Sequence, residues 1–280
     1  EQCHWPAKFF GAQQKTFAHY LTDEKNSPWQ IQMLIKVGGG DPAVGSTTGI
    51  HWHMNIKNDI EYIAADEKRE MIPWVRSTDP TGKVTEYMST ESPLTPEQMA
   101  RASVRRMDCV DCHNRPSHIF NPPNRAVDQA FLTGRLDPGL PYLKREAILL
   151  LTKEYASEKE AEKTILAGLS EYYQKNYPAL SREKAVSIQQ ATTEVLKIYS
   201  TNFFPYMRVD WRTHPDHLGH MNSDGCFRCH DGLHKSRDGG IVTKECNACH
   251  TILGQGTPEE VAQTPPVAQT FRHPAGGDVT

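Results

Sequence analysis

The chain has 280 residues, of which 38% are hydrophobic, and its formal net charge at neutral pH is −3. This length is enough for two ordinary domains, but the apolar supply is thin, so either part of the chain is rich in loops or a group other than side chains, such as a large apolar cofactor, fills part of the core. The sequence has no basic patch of the kind typical of nucleic-acid-binding proteins, so we expect no nucleic-acid partner. No run approaches the roughly 20 apolar residues of a membrane span, and no signal peptide is visible.

The first 108 residues are predicted to form an N-terminal region that contains a small antiparallel β-meander. An amphipathic stretch at residues 9–20 predicts a helix. Apolar residues alternate with polar ones from Ile50 to Met54, which predicts a strand. The Asp-Pro-Thr-Gly run at residues 79–82 is a turn signal between two further strands. We therefore predict a meander across residues 49–89.

The rest of the chain divides by composition into four segments. A capping box at residues 95–98 opens a short helix that leads into a segment at 109–138. Apolar residues at helical spacing predict a helical hairpin or bundle across 139–204. Residues 205–256 are dense in His, Gly and Cys, and residues 257–280 form a Pro/Gly-rich tail. The predicted fold is mainly α and irregular, with the meander as its β part.

Three segments share the pattern Cys-x-x-Cys-His, and we call them the first (109–113), second (226–230) and third (246–250) motifs. This is the attachment motif of c-type haem. Two thiols add to the vinyl groups on one porphyrin edge, and the adjacent His reaches the iron as the proximal ligand. The sequence therefore predicts three covalent haem c groups. The predicted attachment residues are Cys109, Cys112, Cys226, Cys229, Cys246 and Cys249, and the predicted proximal ligands are His113, His230 and His250.

Zinc is the main alternative, because the spacing of the second and third motifs also fits a four-cysteine zinc site. A zinc site of this kind does not need a His directly after the second Cys of each pair, whereas all three motifs have one. The first motif, moreover, has no partner pair. Disulfide redox chemistry at Cys-x-x-Cys also leaves the three histidines unexplained. These observations favour haem.

The seventh cysteine, Cys3, is followed by His4 and resembles the second half of the same motif. If a Cys precedes Glu1, the numbering starts inside a haem motif, with the rest of the chain upstream. We then expect a fourth haem at Cys3, with His4 as its proximal ligand. The alternatives are a true N-terminus with a free cysteine, or a haem held by one thioether.

Nine histidines remain once the four proximal ligands are assigned. An electron-carrying haem needs a sixth ligand, usually His or Met, so bis-His ligation is predicted. Two of the nine stand two residues apart in a predicted strand, so either each serves a different haem or one is a bystander. The candidate distal ligands are His19, His51, His53, His118, His220 and His234, ranked above His214, His217 and His273; Met54, Met107 and Met221 are alternative sulfur ligands, although Met more often packs in cores.

The residue runs at 3–6, 49–55, 108–118 and 219–234, together with His19, resemble the long NapC/NirT-type multihaem cytochromes. The inner-membrane quinol-oxidising cytochromes of metal-reducing bacteria are similar. The resemblance covers most of the chain and is weakest in the helical segment and the tail. It supports the distal histidines that lie within these runs, without assigning each to a haem.

The resemblance implies an N-terminal membrane helix and a four-haem module that ends at Cys3-His4, with further haems after it. The expected partners are periplasmic cytochromes or a terminal reductase, with the membrane reached through an upstream anchor and quinol through the upstream part. The expected location is the periplasm or the extracytoplasmic face of the inner membrane, since bacterial haem attachment follows export.

The sequence thus predicts electron transfer through several bis-His haems in a membrane-associated anaerobic respiratory chain, from quinol towards periplasmic or extracellular acceptors. No catalytic residue is assigned, and a carrier or oxidoreductase subunit is favoured over a self-contained catalyst. The alternative is a multihaem reductase in which one haem has an open site for a small nitrogen or sulfur oxyanion.

Overall fold

The computed structural model describes residues 11–38, 49–54, 58–115 and 118–274. The chain divides into two compact units. The haem-motif unit contains all three motifs, and the helical unit contains the long helices. The haem-motif unit comprises residues 1–15, 33–115 and 215–251, and the helical unit comprises residues 16–32, 116–214 and 252–280.

The described residues form eight strands and seven α-helices, numbered in chain order. The strands are β1 (Gln13–Tyr20), β2 (Pro28–Ile35), β3 (Asp59–Ile63), β4 (Trp74–Thr78), β5 (Val84–Ser89), β6 (Arg105–Arg106), β7 (His234–Ser236) and β8 (His250–Gly256). The helices are α1 (Pro96–Arg101), α2 (Pro123–Leu132), α3 (Leu143–Thr152), α4 (Glu158–Asn176), α5 (Pro178–Glu183), α6 (Ala185–Asn202) and α7 (Pro258–Gln263).

The haem-motif unit is built on a five-stranded sheet in the order β6-β3-β4-β5-β7. Its central strands β3, β4 and β5 pair antiparallel, so the predicted meander is present. At the β4–β5 turn, Asp79 Oδ1 accepts hydrogen bonds from the backbone N–H groups of Thr81 and Lys83. One face carries a small apolar cluster, against which the haem-motif cysteine Cys229 packs. The buried members of that cluster are Ile60, Tyr62, Ile72 and Val75.

Residues 50–54 form a 3₁₀ helix, so the prediction of a strand there is wrong. The backbone carbonyl of Lys36 accepts the N–H of Ile50, and that of Val37 accepts the N–H of His51, which turns the chain at this point. Gly49 has φ +97°, and a Cβ at this residue would lie 2.6 Å from the Lys36 carbonyl oxygen. Only glycine fits this close approach, and the alternating pattern did not reveal it.

The helix predicted at residues 9–20 is also wrong within the described residues, because Gln13–Tyr20 form strand β1. This strand belongs to a three-stranded sheet in the order β1-β2-β8. Its last residue, Tyr20, stacks on Phe131 with ring centroids 4.6 Å apart and donates its backbone N–H to Asp128. The Thr, Phe and Tyr residues of the segment favour a strand, and these tertiary contacts reinforce that preference.

The helical unit has an extensive apolar core, and the predicted helices are present as α3, α4 and α6. Ser157 caps α4 by accepting the backbone N–H of Glu160. Beneath the helices, the buried Lys144 ammonium pairs with Asp128 at 2.8 Å. Because two sheets accompany the helices, the mainly α class is not confirmed. Within the described residues, no helix is both long and apolar enough to cross a bilayer.

Candidate haem-binding site

Each of the three motifs forms one tight turn. Cys109–Asp111 is a 3₁₀ helix, and the N–H of His113 donates to the carbonyl of Cys109 at 2.8 Å. The second motif repeats this bond from His230 to Cys226 at 3.0 Å. The third motif also begins with a 3₁₀ turn. A single turn brings the two cysteines and the following histidine together, as attachment to one porphyrin edge and its iron requires.

A buried carboxylate anchors the first motif to the sheet. Asp111 is 1% exposed and accepts hydrogen bonds from Tyr62 on β3 at 2.9 Å and from Arg105 on β6 at 2.8 Å. Arg69 also pairs with it. Burial alone would raise the pKa of Asp111, but hydrogen bonds from Arg105, the backbone of Asp108 and Tyr62 outweigh burial and hold the pKa below its usual range. Asp111 is therefore an ionised anchor within the motif.

The second motif is held by a glycine turn. Gly225 has φ +47°, and a Cβ there would lie 1.8 Å from the carbonyl oxygen of Gly219. The same carbonyl accepts the N–H of Cys226 at 2.9 Å. Only glycine can occupy this position, so the loop that carries His220 is fixed against the start of the motif.

Arg228, the second spacer residue of the second motif, connects that motif to the first. Its buried guanidinium donates to the backbone carbonyl of Asp111 at 3.0 Å and to that of Arg69 at 2.8 Å. The Cys-x-x-Cys-His motif does not specify the two residues between its cysteines. Here one of them, Arg228, joins the turn of the second motif to the turn of the first. Sequence reasoning missed Asp111 and Arg228, although charged residues at spacer positions were a visible signal.

The sulfurs of Cys112, Cys229 and Cys249 lie in surroundings that disfavour thiolate. Burial raises the pKa of Cys112 to about 11 and that of Cys229 to about 12. Zinc binds thiolate, whereas a thioether is neutral. Among the residues that the structure describes, no group of three or more His, Cys, Asp or Glu side chains converges to hold a metal ion. The cysteine cluster that the zinc alternative needs is therefore missing from this part of the chain.

The histidine of each motif, the predicted proximal ligand, lies near one of the distal candidates. Two metal–imidazole bonds of about 2 Å each, together with half of each ring, separate the centroids of two axial imidazoles by roughly 6 Å. The observed separations match this spacing. The pairs are His51 with His113 at 6.3 Å, His53 with His230 at 5.7 Å, and His220 with His250 at 6.2 Å.

Several of these rings are oriented by hydrogen bonds through Nδ1. His51 Nδ1 donates to the carbonyl of Val37 at 3.0 Å, and His53 Nδ1 donates to that of Ile50 at 2.8 Å. His230 Nδ1 lies 2.6 Å from the carbonyl of Thr243. A carbonyl only accepts, so each Nδ1 carries the proton and each Nε2 keeps its lone pair for a metal.

The pKa values of three of the paired histidines also favour ligation. Burial lowers the pKa of His51, His53 and His250 below the usual value for histidine. The neutral imidazole is the form that binds a metal, so these surroundings hold the rings ready as ligands. The donor set therefore fits haem iron in its chemistry and its spacing.

The remaining distal candidates lie elsewhere. His234 is 1% exposed, and both of its ring nitrogens meet acceptors: Asp231 at 2.9 Å and the carbonyl of Ile72 at 2.7 Å. In the helical unit, His19 Nδ1 lies 3.2 Å from Asp128. His118 packs against Phe120 and Phe204. Cys3 and His4 lie outside the described residues.

His217, ranked low from sequence, is also close to a motif. It is 4% exposed, and its Nδ1 lies 3.1 Å from the carbonyl of Asp111. Burial, and secondly the charge of Arg228, lower the pKa of His217. No local signal in the sequence distinguished His217. Several histidines crowd this segment, and the proline that follows His214 does not separate His217 from them.

No family model and no solved structure matches the chain. Among curated proteins, it is 48% identical over 275 residues to "Cytochrome c-type protein ImcH" of Geobacter sulfurreducens. The alignment covers 98% of this chain and 53% of the relative, so the chain spans about half the length of that protein. Over nearly its whole length, the chain is thus similar to a c-type cytochrome.

Proposed function

We propose that this chain carries electrons through covalent haem c groups at its three motifs, each iron held between two histidines. The observation that carries the proposal is the set of three ring pairs, each joining a motif histidine to a distant one at the spacing of two axial imidazoles. The proposal includes a fourth haem at Cys3, with His4 as its proximal ligand.

In this proposal, the side chains bind the haem iron, hold the ligand rings in orientation and shield the metal from water. A bound haem iron supplies one-electron oxidation and reduction. Two histidines held on each iron would leave no open position at the metal for water or small substrates. This arrangement favours an electron carrier over a reductase, because a reductase needs an open position. The hydrogen bonds through Nδ1 fix the rings of His51, His53 and His230 and reduce the rearrangement that accompanies a change of charge.

Charged spacer residues are proposed to adjust the potentials of the first and second haems. The Asp111 carboxylate is balanced by Arg69 and Arg105, and Arg228 brings a buried positive charge between the two motifs. Burial and hydrogen bonding near a haem are established determinants of its reduction potential. A buried cation favours the reduced, less positive iron.

The proposed context is a membrane-associated respiratory chain that passes electrons from the quinol pool towards periplasmic or extracellular acceptors. The resemblance of the His-rich runs to NapC/NirT-type cytochromes supports this context. In this proposal, periplasmic cytochromes or a terminal reductase are the partners, and the membrane anchor and quinol contact lie outside these 280 residues. The proposed location is extracytoplasmic, because covalent haem is attached after export.

The test uses haem-loaded protein purified from its native host. The pyridine haemochrome spectrum and peptide masses should show a covalent haem at each of the three motifs, and electron paramagnetic resonance should show low-spin iron at all of them. Unmodified peptide masses around residues 109, 226 and 246 would contradict the proposal. A high-spin ferric signal that shifts with nitrite would instead favour the reductase alternative.

A further inference from the structure

The guanidinium of Arg228 joins the second motif to the first through three backbone carbonyls. Its Nε donates to the carbonyl of Gly225 at 2.8 Å, within its own turn. Its Nη1 donates to the carbonyl of Arg69 at 2.8 Å, and its Nη2 donates to that of Asp111 at 3.0 Å. Arg228 and Asp111 occupy the same place in their motifs, directly before the second cysteine. The side chain therefore holds the two attachment turns next to each other.

The shape of this link suits arginine and not lysine. The three carbonyls belong to three separate parts of the chain, and each is reached by a different nitrogen of the guanidinium. Arginine presents its N–H donors in a rigid planar fork, whereas lysine carries the same charge on a single nitrogen. Arg228 is buried, so water cannot readily replace a lost hydrogen bond. The link thus depends on the form of the side chain as well as on its charge.

The Arg69 carbonyl that accepts from Arg228 belongs to a strained backbone. Arg69 has φ +58°, in the left-handed region that residues other than glycine rarely adopt. Its side chain pairs with Asp111 of the first motif, while its carbonyl accepts from the second. A residue in such a conformation persists only where its surroundings determine it. The strain therefore indicates that the junction of the two motifs sets the backbone at Arg69.

The candidate distal ligands join the same two sites independently of Arg228. His51 lies near the histidine of the first motif, and His53 lies near that of the second. Both belong to one 3₁₀ helix of five residues. Trp52, which stands between them, packs against the same apolar cluster as Cys229 of the second motif. The proposed ligands of the two irons are therefore only two residues apart on one short element.

We infer that the first and second haem sites form one closely joined pair and that Arg228 is the residue that positions them. This inference rests on the proposed function, because it requires haem at both motifs. It goes further, because it names two of the three haems as direct neighbours and the side chain that holds their attachment turns together. Arg228 acts through the two turns and is a positioning residue.

The pairing is tested by a reductive titration of the haem-loaded protein, followed by electron paramagnetic resonance. His51→Ala and His53→Ala identify the low-spin signals of the first and second haems, because each variant removes one of them. When either haem of the pair is reduced, its low-spin iron becomes diamagnetic. We then expect the remaining signal of the other haem to narrow and to relax more slowly, because it has lost a paramagnetic neighbour. No change in the remaining signal would overturn the pairing.

Two substitutions separate position from charge. Arg228→Lys keeps the positive charge but not the three-way link, and Arg228→Met removes both. We expect both variants to lose much of the interaction between the two signals, whereas only Arg228→Met should lower both potentials, because it removes a cation that favours the reduced iron. The matched control is Arg237→Lys, an exposed arginine of the same unit, which should change neither quantity.

Full interaction in Arg228→Lys would overturn the positioning role and leave Arg228 with an effect of charge alone. The pyridine haemochrome spectrum should show the same number of covalent haems in every variant, and the conservative Arg228→Lys decides the question if Arg228→Met does not fold. Absence of covalent haem from the unaltered protein would instead overturn the proposed function.

Discussion

The two units of this chain are stabilised by different means. Among the described residues, the core of the helical unit contains nineteen buried apolar residues, whereas the apolar cluster on the sheet of the haem-motif unit contains four. Both units also bury charged and polar groups, such as Asp111 and Arg228 in the haem-motif unit and Asp128 and Lys144 in the helical unit. Burial of such groups costs free energy unless they are bonded, and the haem-motif unit has the smaller apolar cluster to offset that cost.

The largest contrast should appear when haem attachment is prevented. In protein produced without the attachment machinery, we expect the haem-motif unit to lose amide-exchange protection, because its small apolar cluster cannot offset the entropy of ordering the chain. The helices α3, α4 and α6 should keep theirs, because their core needs no cofactor. Hydrogen exchange followed by mass spectrometry measures both units in one sample.

The control for this prediction is the haem-loaded protein under the same conditions, in which both units should be protected. If the sheet strands β3, β4 and β5 remain equally protected without haem, then the haem-motif unit is stable without its cofactor, and the comparison drawn above is wrong.

A cavity in the helical core should lower the stability of the protein strongly and leave the haem sites unchanged. Leu169 is fully buried on α4, and Leu169→Ala should lower the free energy of unfolding by about 2–5 kcal/mol. The haem spectrum should not change, because the substitution touches no motif. Chemical denaturation followed by circular dichroism and by haem absorbance measures the two effects separately.

Leu166 lies on the same helix and is 45% exposed, so Leu166→Ala is the matched control, with an expected loss below about 0.5 kcal/mol. Equal losses in the two variants would show that α4 does not bury the face described. A changed haem spectrum in Leu169→Ala would show that the helical core also supports the haem sites.

Removal of the buried charge in the first motif should also be costly. Asp111→Asn leaves the partly exposed Arg69 and Arg105 without their carboxylate, and the loss of hydrogen bonds to a charged group costs about 1.5–3 kcal/mol. The potential of the first haem should rise as well, because a negative charge beside it is lost. Denaturation and redox titration measure the two changes, and Glu67→Gln, an exposed carboxylate in a nearby turn, is the control.

The same variant should change the response to acid. The folded-state pKa of Asp111 lies below that of an unfolded aspartate, about 3.9. The ionised carboxylate therefore contributes its full stability above that value, and this contribution is lost as the pH falls through the folded-state pKa. Asp111→Asn should unfold in acid with a shallower dependence on pH in this window. An unchanged slope would mean that the carboxylate is not held ionised by its neighbours.

The parts of this molecule that could be predicted from sequence are those determined locally. The Cys-x-x-Cys-His turns, the β4–β5 turn and the apolar stripes of α4 and α6 depend on neighbouring residues. The partners of the proximal histidines depend on distant segments. His220 and His234 lie in the same His-rich run, yet His220 faces His250, whereas contacts to Asp231 and Ile72 occupy both nitrogens of His234.

The 3₁₀ helix at residues 50–54 is a second feature that could not be predicted from neighbouring residues alone. Alternating apolar and His residues predicted a strand, in which His51 and His53 point the same way. The close approach of Gly49 to the chain at Lys36 produces a turn instead, and the two histidines face different motifs. Sequence thus supplied both candidate ligands but could not separate their partners, because the deciding contact is far away along the chain.

The smallest expected effect is a difference between the electron paramagnetic resonance signals of two haems in the haem-motif unit. The rings of His51 and His113 are nearly parallel, at 3°, whereas those of His53 and His230 are nearly perpendicular, at 85°. When the two axial rings are parallel, the iron orbitals that interact with the rings differ in energy. When the rings are perpendicular, those orbitals stay nearly equal in energy. We therefore expect a rhombic low-spin signal from the first haem and a strongly anisotropic one from the second, measured by electron paramagnetic resonance.

His53→Ala should remove the strongly anisotropic signal and leave the rhombic one, and His51→Ala should do the reverse. If both variants reduce the same signal, the two histidines serve a single iron and the pairing described here is wrong. If all low-spin signals are rhombic, the rings at the second haem are parallel in the loaded protein. The carbonyl of Thr243, which fixes His230 through Nδ1, then does not hold that ring in the orientation described.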